Sequence, residues 1–215
     1  MDYPFRGTCI SLEDFENTYG LSFPDNINDT DIDTLVLFCE YVRNILDSET
    51  NGGLWESEVS LLFENISQVI EKIGYREFKT ENGMIIYVPL SVPAMEVASI
   101  VSSPLSYKTL EYNHHSNKGN LSAKLAMLKM MADDIEPQRK KLKNINGALE
   151  SNLFQMLQKF VRHNNSDNVY IADMTPQETE GAYDDIYQMW LLAKLELDNV
   201  ERNQRVKELL GKING

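Results

Sequence analysis

The 215-residue chain contains only two cysteines, Cys9 and Cys39. They form no Cys-x-x-Cys pair, which argues against a disulfide framework and against a cysteine-based zinc site. Long hydrophobic runs are also missing, since none approaches the ~20 residues that a membrane-spanning helix requires. The first residues show no basic start followed by an apolar stretch, so no secretory signal is predicted. We therefore expect a cytoplasmic protein that does not cross a membrane.

Common catalytic motifs are absent as well. The chain has no GxxxxGK[ST], no GxGxxG after a strand, no HExxH and no GxSxG. Histidine is scarce, and the three histidines are His114, His115 and His163. Because neighbouring residues on a helix point about 100° apart, His114 and His115 are poorly placed to share one metal ion. We expect neither a metal nor a small-molecule cofactor.

Basic residues are in the minority, with 20 Lys and Arg against 33 Asp and Glu and a net charge of −13. The middle of the chain is the exception, because residues 118–163 hold 9 basic and 4 acidic side chains. Nucleic-acid affinity depends on Lys and Arg that contact phosphates, so only this segment suits such a partner. A solvated helix face that balances acidic neighbours explains the same excess, and charge alone favours that explanation.

Hydrophobic periodicity predicts a mainly all-α protein, a helical bundle with a small β-hairpin. The last predicted helix begins with Thr175-Pro176-Gln177-Glu178, which is a capping box with proline at the first helical position. Candidate breaks lie at Pro104 and at Asn146-Gly147. The predicted helices span residues 31–48, 55–73, 93–113, 120–134, 137–163 and 176–212.

A change of period from 3.6 to 2 marks the β-hairpin, at about residues 75–89. Two alternating segments flank Asn82-Gly83, which predicts a two-residue turn. A helix followed by a hairpin also suits a winged-helix protein, but no basic recognition helix accompanies it. We expect N-terminal helices plus the hairpin over residues 1–90 and a C-terminal helical bundle over 91–215, packed as one compact unit.

The residues best suited to binding or catalysis lie at the end of the 137–163 helix, whose sequence is Arg162-His163-Asn164-Asn165. Arginine can pair with two phosphate oxygens and histidine titrates near neutral pH, so the two together can bind and act on a phosphodiester. A structural interpretation is favoured when these residues are taken alone. Basic residues at a helix C-terminus satisfy the last carbonyls, and asparagines favour the turn that follows.

Several short runs resemble HEPN-type domains of bacterial abortive-infection proteins, over about residues 55–200. They are Tyr112-Asn113-His114, Lys118-Gly119-Asn120, Glu136-Pro137-Gln138-Arg139-Lys140-Lys141-Leu142 and Phe160-Val161-Arg162-His163-Asn164-Asn165. The resemblance implies an up-and-down helical bundle, commonly dimeric. In active members it implies metal-independent RNA cleavage by an Arg-polar-x-His motif.

Arg162 matches the arginine of that motif and His163 the polar residue after it. No histidine follows His163 anywhere in the chain, whereas the motif closes with one. Either His163 takes over the acid/base role, or the chain is a non-catalytic member. The resemblance therefore leaves open whether the protein is an enzyme.

The resemblance predicts an abortive-infection or toxin-type protein that binds or cleaves RNA in phage defence. In this hypothesis Arg162 binds the scissile phosphate and His163 is the general acid or base. The predicted RNA-binding residues are Asn164, Asn165, Lys159, Arg139, Lys140 and Lys143. The alternative is a non-catalytic helical protein–protein interaction module.

A homodimer is also predicted from the last helix. Trp190-Leu191-Leu192-Ala193 is apolar over more than one helix face, and such a helix must be covered on more than one side. Burial inside a single chain explains the same pattern.

Overall fold

A computed structural model of the protein describes residues 31–49, 56–162 and 173–214. These residues are mainly α-helical with one two-stranded antiparallel hairpin, which confirms the predicted fold class. The chain divides into two compact units. The first contains the described residues up to Lys79 together with Gly83–Tyr87. The second contains Thr80–Asn82 and the described residues from Val88 onward.

The first unit contains helices α1 (Ile32–Glu49) and α2 (Glu56–Lys72) and strand β1 (Tyr75–Lys79). It also contains strand β2 (Ile85–Pro89) as far as Tyr87. Asp31 caps α1, because its carboxylate accepts a hydrogen bond from the Thr34 N–H at 2.7 Å. Side chains of α1 also fasten β2. The Asn44 amide exchanges hydrogen bonds of 2.6 and 2.8 Å with the Ile85 backbone. The core of the unit contains Val36, Cys39, Ile66, Ile70, Ile85 and Tyr87.

The hairpin lies where the sequence predicts it, but its turn is longer than predicted. Five residues separate the end of β1 from the start of β2. A two-residue type I′ turn needs positive φ at both central positions, whereas only Gly83, at φ +82°, adopts it and Asn82 does not. The prediction of a two-residue turn is therefore wrong.

The second unit is a helical bundle. Its helices are α3 (Val92–Ile100), α4 (Ser103–Glu111), α5 (Leu121–Ile135), α6 (Arg139–Ile145), α7 (Gly147–Met156) and α8 (Pro176–Asn214). A π-helical turn, Leu157–Arg162, extends α7. Helix α8 packs against α3, α5, α6 and α7, so it is the central element of the unit. The most deeply buried side chains include Tyr112, Leu128, Met131, Ile135, Leu142, Leu153, Leu157, Ile186, Tyr187 and Trp190.

Both candidate helix breaks are present. The 93–113 helix divides into α3 and α4 just before Pro104, and the 137–163 helix divides at Asn146. The Asn146 side chain caps α7 by accepting a hydrogen bond from the Leu149 N–H at 3.0 Å. The break lets α6 and α7 fold back and pack against each other. This helical hairpin positions the candidate site.

The predicted capping box at the start of α8 is confirmed. The Thr175 hydroxyl accepts from the Glu178 N–H at 3.2 Å, and the Glu178 carboxylate accepts from the Thr175 N–H at 2.8 Å. Further along α8, Trp190, Leu191 and Ala193 are buried in the core of the second unit, while Leu192 is exposed. Within the described ranges, no helix combines the length and the apolar content needed to cross a bilayer.

Candidate nucleic-acid interface

A half-open groove lies between α6 and α7 and has a volume of about 490 Å³. This volume lies in the range of ordinary ligand pockets. The groove brings together three of the residues that the sequence predicts to bind RNA. Its lining residues are Arg139, Lys140, Lys143, Glu150, Ser151 and Gln155.

Arg139 is the best-anchored cation of the groove. Its Nε donates a hydrogen bond to Glu150 Oε1 at 2.6 Å, and its guanidinium carbon lies 4.5 Å from the centroid of the Phe154 ring. The Glu150 side chain is 6% exposed, whereas that of Arg139 is 51% exposed. Because a guanidinium carries five N–H donors, the pair with Glu150 leaves donors of Arg139 at the surface. Arg139 is thus held in place and still accessible to an anion.

Lys140 and Lys143 add positive charge at the rim of the groove, where both are exposed. Glu150 is compensated by Arg139, so the two lysines leave the groove with a net positive charge. Gln155 Nε2 donates to Ser151 Oγ at 3.1 Å, which leaves the Gln155 carbonyl oxygen as a hydrogen-bond acceptor. The groove therefore offers cations for phosphates and neutral polar groups for a sugar or a base.

The other described candidates, Lys159 and Arg162, lie in the π-helical turn after α7. Lys159 is exposed and follows Gln155 by about one helical turn. The Arg162 side chain contacts two groups near the end of α5. Its Nη1 lies 2.5 Å from Glu136 Oε2, and its Nη2 donates to the Ala132 carbonyl oxygen at 3.2 Å. Arg162 therefore fastens the π-helical turn to the end of α5 and does not line the groove.

Three of the predicted site residues, His163, Asn164 and Asn165, lie outside the described residues. The catalytic role of His163 and the RNA contacts of the two asparagines stay predictions.

His114 and His115 do not occupy a regular α-helix, as the argument from helical geometry had assumed. His114 precedes a short 3-10 turn, His115–Asn117, and its Nδ1 lies 2.7 Å from Ser116 Oγ. The two imidazole rings are 4.1 Å apart at an angle of 44°. The expectation that a regular helix separates these two side chains by about 100° is therefore wrong, because the His114 backbone is extended, at φ −64° and ψ 142°, and lies outside the turn.

A buried ionic network in the same unit was missed at the sequence level. The Lys124 ammonium lies 2.8 Å from Glu180 and 2.7 Å from Asp184, and the Lys124 side chain is 7% exposed. Tyr112 donates to Asp184 at 3.1 Å. A signal was available, because Lys124 lies three residues after Leu121 on the apolar stripe of α5. A lone lysine on such a stripe indicates a buried cation with acidic partners.

The network shifts the acid–base properties of its members. The hydrogen bond from Lys124, and then that from the Gly119 N–H, hold the pKa of Glu180 below its ordinary value. Burial raises the pKa of the Tyr112 hydroxyl, and the neighbouring Asp184 raises it further. These groups tie the segment around residues 112–124 to the first turns of α8. They lie outside the lining of the groove.

Comparison of the chain with protein families, curated proteins and solved structures finds no match. The candidate interface therefore rests on its own geometry.

Proposed function

We propose that the second unit binds single-stranded RNA through the groove between α6 and α7. The observation that carries this proposal is the convergence of Arg139, Lys140 and Lys143 on one cavity in a chain of net charge −13. An acidic protein repels nucleic acid except where cations are concentrated, so the groove is the best-suited surface among the described residues. The phage-defence role implied by the resemblance to HEPN-type domains, and a cytoplasmic location, belong to the same proposal.

The side chains of the groove are better suited to contact the sugar–phosphate backbone of RNA than to recognise particular bases. Arg139 and the two lysines would contact phosphates, and the Arg139 guanidinium can contact two phosphate oxygens at once. Ser151 and Gln155 supply a hydroxyl and an amide that can hydrogen-bond a ribose 2′-hydroxyl or a base edge. We therefore expect weak sequence preference and strong salt dependence.

The proposal concerns RNA binding and does not include RNA cleavage. The pairing of Arg162 with Glu136 occupies the side chain that the resemblance assigns to the scissile phosphate. Arg162 does not line the groove, so RNA binding at the groove does not depend on it.

Fluorescence anisotropy with a labelled mixed-sequence single-stranded RNA tests the proposal. The wild type is expected to bind at low salt and to lose affinity as salt is raised, since phosphate contacts release counterions. The double variant Lys140→Glu with Lys143→Glu should bind at least about tenfold more weakly. Its matched control is Lys72→Glu with Lys79→Glu, which makes the same charge change at exposed sites of the first unit.

Two results would overturn the proposal. One is the absence of binding by the wild type at low salt. The other is an equal loss of affinity in the groove variant and in the control, which would show that overall charge rather than the groove governs binding.

A second candidate function, that of a non-catalytic protein–protein interaction module, is favoured by a different observation. The end of α8 exposes a set of large apolar side chains, namely Val206, Leu209, Leu210 and Ile213. The partner that this surface fits is argued below.

A further inference from the structure

Helix α8 continues well past the core that buries its first half. Every residue from Asn199 to Ile213 is exposed. Large apolar side chains nevertheless lie in this stretch, and the exposed fractions are 47% for Val206, 58% for Leu209, 50% for Leu210 and 68% for Ile213. Their spacing of three and four residues places them on one side of the helix. A contiguous apolar stripe in water indicates a partner that covers it.

The stripe faces away from the core of its own unit. Trp190 and Leu197 mark the core side of α8, with exposed fractions of 0% and 3%. At about 100° per residue, the centre of the stripe lies roughly 150° around the helix from them. The positions that continue the core side are polar, namely Glu201, Gln204, Arg205, Glu208 and Lys212. The end of α8 is therefore suited to pack against something other than its own unit.

The heptad register of the stripe continues back along α8 to Leu192 and Leu195, with the polar residues Asn199 and Arg202 in between. Leu192 is 48% exposed, and Leu195 is half-buried because it packs partly against the core of its own unit. These a and d positions are therefore partly accessible where α8 contacts the core. An a/d register over about three heptads is the pattern of a two-helix coiled coil. The a and d positions are Leu192, Leu195, Asn199, Arg202, Val206, Leu209 and Ile213.

We propose that two copies of this chain associate through antiparallel pairing of their α8 helices. From Leu192 to Leu209 the register is apolar toward both ends and polar at its centre, so a second copy running in the opposite direction matches this part layer by layer. In an antiparallel pair, each a position faces a d position of the other helix. The facing pairs are Leu192 with Leu209, Leu195 with Val206, and Asn199 with Arg202.

Charge complementarity favours a second copy of the chain as the partner, with its α8 helix in the antiparallel direction. In the antiparallel pair Asp198 lies beside Arg205 of the second copy, twice by symmetry. A parallel pair would instead place Arg202 against Arg202 of the second copy. Within one chain Asp198 already pairs with Arg202 at 2.7 Å, and a carboxylate has acceptor sites for a second guanidinium. The antiparallel pair thus adds two contacts between opposite charges, whereas the parallel pair places the two Arg202 side chains in the same layer.

The association goes beyond the proposed RNA binding and uses side chains other than those that line the groove. The failure of one proposal is therefore distinguishable from the failure of the other, because oligomeric state and RNA affinity are measured separately.

Size-exclusion chromatography with light scattering, over a dilution series of the full chain, tests the association. The wild type should show the mass of two chains and dissociate on dilution. Leu209→Asp should show the mass of one chain, while Gln204→Asp, which adds the same charge on the other side of α8, should behave as the wild type. Far-UV circular dichroism checks that both variants remain folded. A wild type that stays at the mass of one chain, or a Leu209→Asp variant that still dimerises, overturns the proposal.

The direction of pairing is tested by charge reversal. Arg205→Asp places two carboxylates together at each Asp198 contact and should weaken the dimer about tenfold. Adding Asp198→Arg to that variant restores opposite charges and should restore the dimer. A parallel pair predicts neither effect.

Disulfide crosslinking tests the direction of pairing independently of the charge-reversed variants. In a chain whose two native cysteines are replaced by alanine, Leu192→Cys and Leu209→Cys are made separately. A mixture of the two variants should form a disulfide-linked dimer on oxidation, and neither variant should do so alone. Crosslinking of Leu209→Cys with itself would overturn the antiparallel arrangement.

Discussion

Replacing Lys124 by methionine removes one charge from the buried network and leaves its two carboxylates in place. Methionine has a similar length and retains the apolar contacts of the lysine stem. The change in stability therefore reports the loss of the ammonium group alone. The Lys124 side chain is 7% exposed, and its ammonium lies between Glu180 and Asp184. Without it the two carboxylates, four residues apart on α8, face each other without compensation.

The magnitude follows from how much water the two carboxylates can reach. Removing one partner from a fully buried ion pair costs about 3–5 kcal/mol. Here the Asp184 side chain is 47% exposed and that of Glu180 is 19% exposed, so both can regain hydration. The Gly119 N–H also continues to bind Glu180, and the Tyr112 hydroxyl continues to bind Asp184. We expect Lys124→Met to lower the free energy of unfolding by about 2 kcal/mol at pH 7.

The effect should depend on pH in a defined direction. The pKa of Glu180 is held below its ordinary value of 4.5, chiefly by the hydrogen bond from Lys124. A depressed carboxyl pKa stabilises the folded state above the unfolded pKa, and this stabilisation is lost as the pH falls through the folded value. Lys124→Met removes its main cause. The difference between variant and wild type should therefore shrink as the pH is lowered from 7 to below 4.5.

Urea unfolding followed by far-UV circular dichroism measures both quantities. The control is Lys129→Met, which makes the same chemical change at an exposed position of α5 and should alter the free energy of unfolding by less than about 0.5 kcal/mol. A Lys124→Met variant as stable as the wild type at pH 7 would refute the reasoning. So would a difference that does not change with pH.

Further predictions concern the start of α8 and the π-helical turn. Thr175→Ala removes the hydroxyl that caps the Glu178 N–H and should lower the free energy of unfolding by about 1 kcal/mol, measured by urea unfolding; no change would mean that the box is not formed. Arg162→Ala breaks the contacts with Glu136 and the Ala132 carbonyl and should cost about 1–2 kcal/mol of stability while leaving RNA affinity within about twofold of wild type. A stable Arg162→Ala variant that no longer binds RNA would reverse that assignment.

The sequence predicts those parts of the fold that depend on local pattern. The apolar spacing of α8 identifies Tyr183, Ile186, Trp190 and Leu197 as core residues, and all four are buried. The same stripe predicts burial of Val200, which is 39% exposed because α8 leaves the core there. The spacing records which side of a helix is apolar, but it does not record where the neighbouring helices end.

The candidate site shows the same limit. The cations at 139, 140 and 143 can be read from the sequence, and so can the break at Asn146 that folds α7 back onto α6. The partner that anchors Arg139 could not be read, because Glu150 is close only once the two helices pack. For Arg162, a phosphate ligand and a structural cation look alike in sequence. The contacts that distinguish them are with the Ala132 carbonyl oxygen in α5 and the Glu136 carboxylate just after α5.

Photo-crosslinking of the wild type to a 4-thiouridine-containing single-stranded RNA, followed by mass spectrometry of the crosslinked peptides, tests the central claim most directly. Crosslinks report the residues that touch the RNA and do not depend on any substitution. The account predicts crosslinked peptides from the segment 139–155, which lines the groove, and their loss at high salt. Crosslinks confined to other parts of the chain would contradict the claim that this groove binds RNA.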